Sequence, residues 1–241
     1  MSTTTIKNEF IHGIRRGFPI CMGYFPVSFT FGLMAVRGGI PVWLAIFTSL
    51  SNLTSAGQFA GTNLILAGSG YFEITLTTFI INIRYMLMSL SLSQKIRTEV
   101  PVWQRLLWGF GITDETFSVA SMEPHSLGSA YMFGLILTPI LGWTLGTAAG
   151  AIICSALPAT LSSAMGIALY GMFIAIIVPP ARENRVILYI IVIAVTIMCI
   201  LTYVPFFAFI SEGFRIIIAT VLGAGIGAAL FPQPTEEETI S

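Results

Sequence analysis

Charge is what this chain has least of. Lys, Arg, Asp and Glu make up 9% of its 241 residues, where a soluble domain carries about 25%. Eleven basic and eleven acidic residues cancel, and no basic patch interleaved with aromatics occurs, so a nucleic-acid partner has no support. Cysteine is scarce as well. Cys21, Cys154 and Cys199 lie singly inside apolar runs, without metal-ligand spacing, and read as small buried hydrophobes. No P-loop, GxSxG, HExxH or paired-cysteine motif is present, so ATP hydrolysis by this chain and a nucleophile-and-base enzyme site have no visible basis. No cofactor and no metal are expected.

What fills the chain instead is apolar. Hydrophobic residues reach 55% and mean hydropathy is +0.88, which makes this an integral membrane protein. The expected fold is an all-α polytopic bundle of about seven transmembrane segments, with six to eight allowed by the ambiguous stretches. Residues 1–17 form a polar segment whose Lys7, Arg15 and Arg16 favour a cytoplasmic N-terminus, 18–231 form a single transmembrane domain, and 232–241 form an acidic, disordered tail. The first span, 18–36, is too long for a signal-peptide core and is read as uncleaved.

The stretch 43–68 is the anomaly. It is long enough to cross a bilayer and carries no charge, yet Thr48, Ser51, Asn52, Ser55, Gln58 and Thr62 recur at spacings of three and four, a polar stripe on one helical face. Lipid offers such groups no partners, so the stripe must face protein or a watered cavity. Ordinary interhelical hydrogen bonding is the competing explanation. Gly57 and Gly61 form a GxxxG pair on another face, suited to close approach by a neighbouring helix.

In the third segment, 72–92, Asn82 and Arg84 lie halfway along. A mid-bilayer arginine requires a carboxylate, carbonyls or an anionic ligand group. Asp114 and Glu115 are its candidate partners, although with Thr113 as N-cap they also suit the first turn of a helix. His12 and His125 are expected to be solvated. The hydrophilic stretch 93–112 poses a topological conflict: its basic residues suggest the cytoplasmic side, but two full crossings by the second and third segments would place it outside. A broken or re-entrant 43–68 would resolve this, and so would an external loop, since the charge bias is statistical.

Further on, Gly142, Gly146 and Gly150 give span 131–154 a smooth packing face, 157–178 follows, 186–203 reads as the most lipid-exposed span, and Gly223 and Gly227 lie one turn apart in 214–230. Prolines and small-residue runs echo loosely between 18–92 and 130–231, joined by 93–129. With odd numbers of spans these would be inverted repeats, which place substrate at the midplane between broken helices.

A carrier for a small zwitterion accounts for these features better than a channel. Arg84 would hold a carboxylate, the polar groups from Ser51 to Gln58 an ammonium or carboxylate, and Phe59, Phe29 or Phe117 an apolar side chain. Phe31-Gly32-Leu33, then Ser51 with Ala56-Gly57-Gln58-Phe59, then Asn82-x-Arg84, then Thr113-Asp114-Glu115-x-Phe117 together resemble the AzlC family, large subunits of bacterial branched-chain amino acid exporters. The resemblance runs from about residue 13 to residue 230. It implies export of L-valine and related apolar amino acids, methionine among them, across the bacterial inner membrane, together with a small AzlD-type membrane subunit. On that reading Ser51, Asn52, Ser55, Gly57, Gln58, Phe59, Asn82 and Arg84 contact substrate. Asp114 or Glu115 binds a coupling proton, because membrane potential does no work on a neutral zwitterion unless an ion moves too. The glycine faces offer packing surface for the small subunit. A channel-like or structural membrane subunit, or a carrier of another zwitterion, is the alternative.

Overall fold

The computed structural model describes residues 3–154 and 184–231, with isolated positions 174, 177, 178, 181 and 182. Expectations for 157–178 and for the acidic tail fall almost wholly outside the described residues. The described chain is helical throughout: α1 (Thr3–Arg37), α2 (Val42–Ser51), α3 (Ser55–Leu66), α4 (Tyr71–Ser93), α5 (Val102–Gly109), α6 (Asp114–Ser121), α7 (Ser129–Ile153), α8 (Arg185–Tyr203) and α9 (Glu212–Leu230). Five of these, α1, α4, α7, α8 and α9, are long and apolar enough to cross a membrane. This is a polytopic membrane protein.

The centre is a parallel pair of long helices, α1 and α7, held together by glycines on both. A Cβ at Gly146 would lie 2.4 Å from the Phe25 carbonyl oxygen, and one at Gly150 would lie 2.0 Å from that of Phe29. Gly13 and Gly17 on α1 meet the Tyr131 and Leu135 carbonyls in the same way. Residue 13 lies by 131, 21 by 142 and 29 by 150, so the two helices run in the same direction with backbones in contact. In lipid, where apolar side chains gain nothing by leaving the solvent, such close approach is what holds helices together. The face formed by Gly142, Gly146 and Gly150 is therefore covered within the chain and is not available to a second subunit. Gly223 and Gly227 face Ala194 and Ile190, packing α9 antiparallel on α8.

The direction of each element follows from contacts at its ends. Arg97, just after α4, pairs with Glu9 near the start of α1 at 2.8 Å, and Lys95 and Arg97 bond through their backbones to Leu127, just before α7. The C-terminal end of α4 thus lies beside the N-terminal end of α1. At the opposite end, Gly38 after α1 packs against the side chain of Leu66, the last residue of α3. So α2 enters from that end and α3 returns to it. Likewise α5 begins at Pro101 by Glu9 and Ser129, while α6 ends where Glu123 meets His12 at 3.3 Å and Lys95 donates to the Ser121 carbonyl at 2.6 Å. The two short-helix pairs are re-entrant hairpins entering from opposite ends.

This arrangement removes the conflict over 93–112, because 43–68 turns back instead of crossing. The described elements show an inverted relation between α1–α3 and α4–α6, a pairing different from 18–92 against 130–231, whose second unit lies partly outside the described residues. His12 is exposed, in keeping with the expected solvation, and also meets Glu123 at 3.3 Å and the ring of Tyr131, 5.4 Å between centroids. Both α4 and α8 leave most of their length uncovered by the rest of the described chain, although α4 buries Glu73, Thr77 and Leu92.

Replacing Gly146 by Val is expected to separate α1 from α7, because the new side chain meets backbone and the Ser28 hydroxyl at 2.1 Å. The destabilisation should reach about 3 kcal/mol or prevent folding. Gly225→Ala, where nothing lies within 4 Å, should be neutral or stabilising by about 0.5–1 kcal/mol. Thermal unfolding of both variants in the same detergent checks the contrast.

Candidate functional site

Each hairpin stops being helical at its tip, and each stop has a local cause. In α2, Thr48 and Ser51 turn their hydroxyls back onto the Leu44 and Phe47 carbonyls, both at 2.7 Å, a bonding pattern that loosens a helix turn. Asn52 (φ −141°, ψ 82°) and Thr54 (φ −136°, ψ 120°) then leave helical geometry. In the second hairpin Gly109 and Gly111 end α5, and Thr113 starts α6 in a reciprocal cap with Thr116. Thr116 also donates to the Gly111 carbonyl at 2.8 Å. The tips are thus residues 52–54 and 110–113.

The first tip is tied down by a buried chain of hydrogen bonds. Trp143 Nε1 on α7 donates to Gln58 Oε1 at 3.0 Å, Gln58 Nε2 donates to Ser49 Oγ at 2.6 Å, and Ser49 Oγ lies 2.7 Å from Thr147 Oγ1. All four side chains are almost wholly buried. Both ends of the Gln58 amide are therefore engaged with α2 and α7. Phe59, also buried, packs edge-to-face on Phe31 at 5.3 Å.

Facing this network is a second, more open cluster. Thr54 Oγ1 donates to Asn82 Oδ1 at 2.8 Å and accepts from Tyr85 Oη at 3.2 Å. Asn82 lies directly over Gly57, where a Cβ would sit 2.6 Å from its amide oxygen and push the Asn82 amide away. Arg84 Nη2 pairs with Asp114 Oδ2 at 2.9 Å, and its guanidinium lies 5.2 Å from the centre of the Tyr85 ring. From α1, Tyr24 Oη reaches Thr113 Oγ1 at 2.7 Å and the Glu115 carboxylate. Tyr24 also meets Trp143 edge-on at 5.3 Å. The two hairpins, entering from opposite ends, are thereby joined through Tyr24 and Trp143.

Of the residues expected to face substrate, Gly57 meets Asn82, and Arg84 meets Asp114, which with Glu115 was expected to bind a proton or form an ion pair. Gln58 and Phe59 it places in packed surroundings. Ser51 is exposed with its hydroxyl on its own helix, and Asn52 and Ser55, half-buried, make no side-chain hydrogen bond among the described residues. Thr113 caps α6 while Asp114 pairs with Arg84, so the capping and pairing roles coexist in one turn. Tyr24, Ser49, Thr54, Tyr85, Trp143 and Thr147 join the site without having been singled out. Three of them carried a signal: Tyr24, Tyr85 and Trp143 sit in the middle of spans, whereas membrane aromatics with polar atoms gather at the interfaces.

A model of the family described as "AzlC protein" matches residues 19–157, which contain every one of these groups. The chain belongs to the AzlC family. It is similar to the inner membrane protein YgaZ of Escherichia coli (strain K12), 30% identical over 184 residues that cover 73% of this chain and 75% of that one. An uncharacterized membrane protein of Archaeoglobus fulgidus is 28% identical over 179 residues, 73% of this chain and 78% of its own. One from Helicobacter pylori (strain 26695) is 24% identical over 155 residues, 61% and 67% respectively. No solved structure matches. The family match ends at residue 157, so α8 and α9 lie beyond the segment that defines an AzlC protein.

The arrangement separates support from exposure. The Arg84 and Asp114 side chains are each 44% exposed, an ion pair in the middle of a span that lipid would not tolerate and that must face water, ligand or protein. Gln58→Leu leaves Trp143 Nε1 and Ser49 without their shared partner and should cost about 2–4 kcal/mol. Arg84→Ala should change stability by less than about 1 kcal/mol, since half-exposed ion pairs contribute little. Comparing the two variants by thermal unfolding in one detergent checks this division.

Proposed function

We propose that this AzlC-family chain is the large subunit of a secondary transporter that exports L-valine and related apolar amino acids, methionine among them, from the cytoplasm. The observation that carries the reading is the Arg84–Asp114 pair at the meeting point of two oppositely inserted hairpins. A carrier needs a site at mid-depth, reachable in turn from either side, and discontinuous helices are how transporters build one. Arg84 offers the fork of donors that matches a carboxylate, and the Asp114 carboxylate occupies that fork when substrate is absent. An arriving amino acid displaces Asp114 with its own carboxylate, and the freed Asp114 then takes up the ammonium or a proton. Glu115, held by Tyr24, is the second candidate for the proton.

Orientation follows from charge. Lys7, Arg15, Arg16, Lys95, Arg97, Arg105, Arg182 and Arg185 gather at the N-terminal end of α1, against Arg37 and Arg215 at the other, so the N-terminal end is cytoplasmic by the positive-inside bias. A small AzlD-type membrane subunit completes the carrier. Its contact is sought on the exposed face of α4, since the α7 glycines are occupied by α1.

Efflux of labelled valine and methionine from reconstituted vesicles, with and without the small subunit, tests the reading. Expected are saturable flux inhibited by competing branched-chain amino acids, and a loss of about 30-fold or more in Arg84→Ala, the cost of removing one partner of a desolvated charged contact. Asp114→Asn or Glu115→Gln should abolish the response to an imposed pH gradient. Linear, non-competed flux would instead identify a channel.

A further inference from the structure

A buried carboxylate lies away from the hairpin tips. Glu73, in the first turn of α4, is 9% exposed, and its Oε1 accepts the Gly213 backbone N–H at 2.9 Å and the Ser211 hydroxyl at 2.5 Å. Ser211 is the N-cap residue of α9, yet its side chain caps nothing in its own helix, because its hydroxyl is given to Glu73. The carboxylate on α4 therefore caps α9 from outside, with its negative charge at the positive end of that helix. One turn further along α4, Thr77 is fully buried and its Oγ1 has no hydrogen-bond partner among the described residues. A Cβ at Gly213 would lie 2.6 Å from Glu73 Oε1 and 2.8 Å from Thr77 Oγ1, so both oxygens crowd the same point.

We propose that Glu73 is a proton-binding site: ionised, it latches the first turn of α9 onto α4; protonated, it turns its hydroxyl toward Thr77 and releases that turn. Protonation removes the charge that strengthens both bonds to α9 and converts the carboxyl into a donor, for which the Thr77 hydroxyl is a waiting acceptor within the same wall. No cation lies within ion-pair distance of Glu73 among the described residues. The charged groups on elements packed against α4 are Glu212 and Arg215 of α9 and Asp114 and Glu115 of α6. Arg215 gives Nη2 to the Ala208 carbonyl at 3.5 Å, and Asp114 is paired with Arg84. The α3 helix carries no charge. Glu73 sits at the end opposite the N-terminus of α1, the side from which protons would enter an exporter, but the latch itself requires no substrate.

Hydrogen exchange of the full-length protein in lipid nanodiscs tests this without added amino acid, so its outcome is independent of the export reading. In the wild-type chain, protection of the amides at 213–216, corrected for the intrinsic pH dependence of exchange, should fall by about tenfold or more as the pH is lowered from alkaline to acidic. Glu73→Gln keeps an acceptor oxygen for Ser211 and Gly213 but cannot ionise. It should fold, and its protection there should be low and independent of pH. Glu212→Gln should keep the wild-type pH response. Protection that does not change with pH in the wild type, or a pH response that survives in Glu73→Gln, overturns the proposal.

Discussion

A helix that stops in the middle of a bilayer leaves backbone donors and acceptors with nowhere to go, and most of this structure answers that requirement. Each orphaned group at such a stop costs several kcal/mol in hydrocarbon. At the second tip the answer is local, with Thr113 and Thr116 capping each other and Gly111 bonded to Thr116. At the first it is tertiary. Thr54 gives its hydroxyl to Asn82 and so leaves α3 uncapped, and the hairpin is held by Gln58, which reaches both Ser49 and Trp143. Different chemistry thus satisfies two tips that occupy equivalent places in oppositely inserted hairpins.

That solution requires α1 and α7 to be in register. Tyr24 and Trp143 touch across the parallel pair, and each carries a hydrogen bond to a different hairpin. The backbone contacts at Gly142, Gly146 and Gly150 set the spacing on which both bonds depend. A rigid central pair with two hairpins hung on it offers a physical basis for motion. Short hairpins joined to a fixed spine by a few side chains shift more easily than helices packed along their whole length.

Much of this was legible in residue order, and the reason differs from part to part. Arg84 announced itself because an arginine has no stable place in mid-bilayer without a partner, and Asp114 and Glu115 were two adjacent acids at the start of a membrane helix. The re-entrant path of 43–68 showed as a contradiction between basic loops and span counting. The roles of Gln58 and the α7 glycines were not legible in the same way. A polar stripe and a small-residue stripe state that something approaches closely, but the identity of the neighbour depends on tertiary register. Gln58 met Trp143 and Ser49, and the glycines met α1. His12 escaped for the same reason, since its acid, Glu123, lies far along the chain.

The two polar clusters also differ in what they can do next. In the network around Gln58 each buried side-chain nitrogen and oxygen has a hydrogen-bond partner, so any ligand entering there would have to break bonds as well as make them. Arg84 and Asp114 stand differently. They satisfy each other, yet nearly half of each side chain remains open, and a salt bridge with that exposure is held only weakly. A carboxylate from a ligand can replace one arm of the pair without leaving a charge stranded, because Asp114 then faces water or the ligand's own ammonium. The closed network holds the first hairpin in place while the open pair has room for a ligand, and that difference in exposure, more than any difference in residue type, is what favours Arg84 over Gln58 in the proposed reading.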